Sequence, residues 1–185
     1  MTQPAFVVAL LGAESTGKTT LAEMLGAALS ARGERVVVVA EALREFCALH
    51  ARTPRRDEQA GIAADQTRRI DAAAAVADVV VADTTALMVA VYSDFVFADT
   101  TLYAQAEQAQ RRCQLTLVAA LDVTWHADGL QRDGAHVRVP VDALVRASLA
   151  RAGVAAVTVG GLGEARLVNA LRAIDACRPP VPTAR

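Results

Sequence analysis

The chain is poor in the residues that usually announce a cofactor or a covalent scaffold. Only 4% of its 185 residues are aromatic, with a single tryptophan, and its three cysteines and three histidines are scattered. Cys47, Cys113 and Cys177 form no CxxC pair, which argues against a disulfide framework or a zinc site and for a reducing compartment. His50, His126 and His136 are equally unclustered, as ordinary loop or surface residues would be. The formal net charge is -1, so there is no basic field to draw the chain to nucleic acid or an anionic membrane. Apolar runs such as Val36 to Ala40 and Val79 to Ala82 are far too short to span a bilayer. No basic segment precedes the first apolar run, and that run ends in a glycine turn rather than a small-residue cleavage site. A cytoplasmic protein is expected, with no nucleic-acid or membrane partner and with room for a homo-oligomer.

What is abundant is small and apolar. The composition is 54% hydrophobic, rich in alanine and valine, which suits a buried parallel sheet packed by small-residue helices. Short apolar runs recur at Phe6 to Leu11, Arg35 to Ala40, Val79 to Ala82, Leu115 to Leu121 and Val154 to Val159. The stretches between them are long enough for the crossover helices that parallel strands require. The pattern predicts one α/β domain over residues 1–177, with a five-stranded, mostly parallel sheet and helices on both faces. A long helix is expected from about Asp57 to Ala77. An excursion resembling a lid is expected at about 124–140, and a loose proline-rich tail at 178–185.

The sharpest signal follows the first apolar run. Gly12-Ala13-Glu14-Ser15-Thr16-Gly17-Lys18-Thr19 matches G-x-x-x-x-G-K-[ST] at every fixed position, between an expected strand and an expected helix. In this P-loop, glycines let the backbone curl so that successive N–H groups converge on phosphate oxygens, and the next helix adds its positive end. Lys18 would reach the β- and γ-phosphates of ATP, the Thr19 hydroxyl would ligate Mg²⁺, and Thr20 would contact the α-phosphate.

In an open α/β sheet the ligand sits outside the carboxyl ends of the strands. Asp83 ends the run Val79-Val80-Val81-Ala82, where a carboxylate can hold a Mg²⁺ water beside the P-loop; the bland alternative is a helix N-cap. Glu41 ends the second run, with Arg44 three residues on. On one helix face the two could address a hydroxylated substrate, or they could form an ordinary solvated pair. The segment from Trp125 to Arg138 holds the lone tryptophan together with Arg132 and Arg138, which could swing over a transferring phosphoryl group. Trp125 could stack on a flat substrate or merely anchor the loop. Gly160-Gly161-Leu162-Gly163 could wall the base of a nucleotide or simply turn a strand into a helix.

Taken together, residues 12–20, Glu41-Ala42-Leu43-Arg44-Glu45-Phe46, Gln66, Asp83-Thr84-Thr85, Leu121 to Trp125 leading into Asp128-Gly129, and Gly160 to Arg166 resemble the ribosylnicotinamide kinase domain of NadR-type proteins, within the P-loop kinase superfamily. The resemblance implies ATP-dependent phosphorylation of the ribose hydroxyl of nicotinamide riboside, giving nicotinamide mononucleotide. It implies Lys18 and Thr19 on ATP and Mg²⁺ and Trp125 on the nicotinamide ring. Arg44, Gln66 and Asp128 fall on the acceptor side, Arg132 and Arg138 become lid cations, and Glu41 is the base or a substrate-orienting carboxylate, with Asp83 as competitor for that role. Leu162 and Phe46 depart from the family, standing where it often has tyrosines. The chain carries neither the adenylyltransferase nor the DNA-binding domain of the full-length regulators, so no transcriptional control and no dinucleotide synthesis are expected of it. Two alternatives stand beside this reading: a kinase of another nucleoside or small metabolite, and a nucleotide-gated adaptor or regulatory ATPase whose output is a protein contact.

Overall fold

The computed structural model describes residues 4–125 and 134–178. Five strands, β1 (Phe6–Leu11), β2 (Val36–Val39), β3 (Val79–Asp83), β4 (Leu115–Ala119) and β5 (Ala156–Val159), form one sheet in the order β2-β3-β1-β4-β5. Every ladder is parallel, with Val8 opposite Val81 on one side and opposite Leu115 on the other. The helices are α1 (Lys18–Ala31), α2 (Ala42–His50), α3 (Gln59–Ala74), α4 (Ala86–Phe97), α5 (Tyr103–Gln110), α6 (Arg138–Ala152) and α7 (Glu164–Cys177).

Alternation along the central strands divides the core. Val8 and Leu10 of β1, with Val79 and Val81 of β3, pack against Leu21, Leu25 and Leu29 of α1 and Ile174 of α7. Val7, Val80 and Ala82 point the other way, onto Ile70 and Ala73 of α3. Near the carboxyl ends of the strands a third cluster gathers Leu43, Ile62, Val141, Val145 and Leu149 around α4. Residues Ala86 to Val91 of α4 are all buried, so this helix is apolar around most of its circumference. A helix of that kind needs neighbours on several sides, and α3, α5 and α6 supply them. Much of the chain's high apolar content is spent on this extra layer.

Four boundaries differ from those expected. The helix foreseen from Asp57 begins instead as a 3-10 turn at Arg56–Glu58, and α3 ends at Ala74. Its foreseen last turn is replaced by the approach to β3, where the Asp78 carboxylate accepts from both the backbone and the guanidinium of Arg35 and aligns β2 with β3. Val154 lies outside β5 because it completes the end of α6. Gly153 adopts φ 67°, its N–H donates to Ala150 O, and Val154 N–H donates to Leu149 O. The excursion also closes earlier than 140, since Ala135–Val137 form a 3-10 turn and α6 already starts at Arg138. Among the described residues no helix is long and apolar enough to cross a membrane.

Candidate active site

The P-loop joins β1 to α1 at the carboxyl edge of the sheet, and its shape follows from its residues. Gly12 has φ 141°, and a Cβ there would lie 3.2 Å from the Ala119 Cβ at the end of β4, so only glycine fits. Ser15 and Gly17 also take positive φ, at 53° and 76°, which turns the strand back into the helix within a few residues. Thr16 locks the turn by donating its hydroxyl to Ala13 O at 2.8 Å, and the Lys18 ammonium donates to the same carbonyl at 2.8 Å.

Beside this loop β3 delivers Asp83. The Thr19 hydroxyl donates to Asp83 Oδ2 at 2.6 Å, while Asp83 Oδ1 is buried without a hydrogen-bond partner. Asp83 does not cap α4, since the Thr85 hydroxyl accepts the Leu87 N–H instead. Thr85 also donates to Gln110 Oε1 at 2.6 Å, and Gln110 Nε2 reaches Thr116 Oγ1 at 2.8 Å, so buried polar side chains brace the strand end. Thr84, between Asp83 and the cap, sits at φ 71°, which a β-branched residue rarely adopts and which the Thr84 N–H to Leu10 O bond helps hold. A carboxylate with an unused oxygen next to a hydroxyl is an oxygen donor set suited to a hard divalent cation. Among the described residues no three His, Cys, Asp or Glu side chains cluster to hold an ion.

Glu41 faces Lys18 across the same cleft, which Arg44 also lines. It is the N-cap residue of α2, but its carboxylate makes no capping bond and is only 9% exposed. Burial pushes its pKa above the ordinary carboxylate value, Lys18 and Arg44 pull it back, and Asp83 pushes the same way as burial. Arg44 Nε lies 3.4 Å from Glu41 Oε2. The carboxylate of this pair is buried, while Arg44 keeps 46% of its side chain exposed.

Gln66, expected on the acceptor, is 1% exposed and spent on the backbone. Its amide oxygen accepts the Ala42 N–H at 2.7 Å, and its amide nitrogen donates to Thr84 O at 3.2 Å. Gln66 thus touches the neighbour of Glu41 at one end and the neighbour of Asp83 at the other. Trp125 lies outside the cleft lining, and its indole N–H donates to Glu14 Oε1 of the P-loop at 3.4 Å, where Gly134 N–H also donates at 3.3 Å. Arg138 is buried at the start of α6, donating Nη1 to Val123 O at 2.8 Å, with Nε and Nη2 unpartnered. Arg132 and Asp128 lie outside the described residues.

Arg166 of α7 is a residue whose part was not evident from spacing. It is 4% exposed, its guanidinium donates to Thr16 O in the P-loop, to Gly161 O at 2.8 Å and to Asp122, and Asp122 accepts the Gly161 N–H at 2.6 Å. One fork therefore pins the P-loop to the turn after β5. The sequence signal was the Glu-Ala-Arg following the glycine turn, which puts Arg166 in the first turn of α7. Replacing Arg166 with alanine is expected to cost about 3 kcal/mol in denaturant unfolding, toward the lower end for a broken buried pair. The effect is moderated because Asp122, 38% exposed, can rehydrate. Lysine should rescue little of it, having no fork to reach three acceptors.

Comparison with known proteins agrees with this fold. A family model described as an AAA domain matches residues 7–166. No curated protein matches the sequence. Among solved structures, a NadR protein in complex with NAD and AMP-PNP is similar with a TM-score of 0.73 at 19% identity, over 98% of this chain and 52% of that one. A NadR protein in complex with NR gives the same TM-score and identity over 93% of this chain and 50% of that one. The chain thus spans about half the length of those NadR proteins. Thymidylate kinase from Ehrlichia chaffeensis is similar with a TM-score of 0.66 at 12% identity, over 95% of this chain and 100% of that one.

Proposed function

The chain belongs to the AAA domain family, and from that premise we propose that it is an ATP-dependent kinase of a small hydroxylated molecule, with nicotinamide riboside the favoured acceptor. One observation carries the kinase reading. The P-loop lysine shares a cleft with the buried Glu41, with Arg44 and with an apolar wall that includes Leu43, Met88 and Tyr92. A nucleotide-gated adaptor needs no such pocket beside its phosphates. The NR held by the second NadR structure, which has this fold, supports the choice of acceptor.

The P-loop amides and Lys18 bind and orient the triphosphate, and Asp83 and Thr19 would hold Mg²⁺ through Oδ1 and the hydroxyl. When bound, that ion supplies charge neutralisation at the phosphate oxygens. Glu41 accepts the proton of the acceptor hydroxyl as its oxygen bonds to the γ-phosphorus and the bond to the ADP oxygen breaks. Its raised pKa makes the ionised form, which Lys18 favours, a stronger base, and Asp83, already accepting from Thr19, is left to the cation. Arg138, buried with two free guanidinium donors, is suited to the phosphoryl oxygens. Trp125 and Gly134 both donate to Glu14 of the P-loop.

The test is ADP release from Mg-ATP with nicotinamide riboside, the common nucleosides and small hydroxylated metabolites, with mass detection of the product. Stimulation by nicotinamide riboside with nicotinamide mononucleotide formed is the expected result. Stimulation by a different compound alone would discard the acceptor and keep the kinase. A flat panel above a Lys18-dependent basal rate would overturn the kinase reading in favour of a nucleotide-gated protein.

A further inference from the structure

Resting on that reading, we propose that Gln59 determines acceptor specificity, its carboxamide oxygen accepting a hydrogen bond from an N–H or O–H group on the part of the acceptor remote from the phosphorylated hydroxyl. Gln59 opens α3 and lines the same cleft as Lys18 and Glu41. It is 4% exposed, and its Oε1 is buried with no partner. Buried amide oxygens almost always have partners, because leaving one unmade forfeits its hydration with nothing in return. Gln66, seven residues on in the same helix, makes the contrast plain, since both its amide atoms are bonded to backbone.

The surroundings hold Gln59 in place and leave it little else to do. The strap before it is fastened at Glu58, which accepts two bonds from Arg52 at 2.7 Å, the Arg55 N–H at 2.7 Å and the Arg55 guanidinium at 2.9 Å. Arg56 fastens it again, pairing with Asp99 at 3.0 Å. Thr53 and Pro54 of this strap line the cleft beside Gln59. The opposite wall, from α4, is apolar or aromatic: Met88, Tyr92, Val96 and Phe97. Such a wall takes a flat or apolar group in either orientation, so one fixed polar contact decides which way it lies. The acceptor class this selects carries a planar group bearing a hydrogen-bond donor; a carboxamide qualifies and a carboxylate, which has no proton to give, does not.

The experiment compares two ribosides that differ only there, nicotinamide riboside and nicotinic acid riboside, on the full chain and its Gln59→Leu and Gln59→Glu variants. The wild type is expected to favour the carboxamide in kcat/KM by roughly tenfold to a hundredfold. Gln59→Leu should bring that ratio within about threefold of unity, chiefly through the KM of the carboxamide, with the KM for ATP within about twofold. Gln59→Glu, which still offers an acceptor oxygen, should keep the preference. A residue that only starts a helix would change stability and leave the ratio alone. An unchanged ratio in an active Gln59→Leu enzyme would overturn this inference and leave the kinase standing. Failure of the wild type to phosphorylate either riboside would overturn the acceptor reading and this inference with it.

Discussion

Lys18→Ala is expected to reduce phosphoryl transfer to the level of a blank, about 10³-fold or more, without unfolding the protein. Lys18 is the P-loop cation in the cleft, and its ammonium donates to a loop carbonyl of the same turn. Two losses add in one substitution. The charge that would meet the β- and γ-phosphates disappears, and so does the cation that most strongly favours ionised Glu41. Glu41 would then hold its proton to a higher pH and accept another less readily. Single-turnover transfer from radiolabelled ATP, alongside circular dichroism, checks both halves of the expectation. Near-normal transfer by a folded Lys18→Ala protein would remove the P-loop from the chemistry.

Glu41→Gln is expected to lower kcat by about 10²- to 10⁴-fold while leaving ATP affinity within a few-fold, the size of effect a positioned general base supplies. The same substitution should raise thermal stability at neutral and alkaline pH. The pKa of Glu41 is raised on folding, so the native state binds its proton more tightly than the unfolded chain does. Its contribution to stability is present in full below the unfolded carboxylate pKa and is lost as pH rises through the raised folded value. Glutamine carries no such penalty. The gap in melting temperature between variant and wild type should therefore open with rising pH and close toward acid. The acid limb of wild-type kcat/KM should lie at higher pH than a free carboxylate would give. A variant that loses activity but gains no stability at high pH would show that Glu41 is not a buried charge.

The glycine turn after β1 was legible in the sequence because its geometry is local. A glycine turn between an apolar run and a helix can form in one way, and Asp83 is marked by its place at a strand end. The acceptor side was not legible in the same way. Gln66 and Gln59 lie on one helix, and nothing in their spacing says that the first is consumed by two backbone groups and the second by none. That distinction depends on how α2 and α4 pack over α3, a long-range fact. Arg138 and Val154 show a smaller version of the same limit. They stand at opposite ends of α6: Val154 completes the C-cap hydrogen bonds, whereas Arg138 opens the helix after a 3-10 turn with no side-chain cap. The five parallel strands were recognisable from apolar runs, whereas their spatial order rests on pairings the runs do not encode.

The two carboxylates of the site are spaced by a single amide. Gln66 spans from the residue after Glu41 to the residue after Asp83, so the separation of Glu41 from Asp83 is gauged by one side chain instead of by two loops settling independently. For redesign this draws a boundary. Changes at Leu43, Pro54, Met88 or Phe97 alter what the cleft admits without touching that gauge. The lining of the cleft can then diverge, or be altered in the laboratory, while the spacing of the two carboxylates is kept.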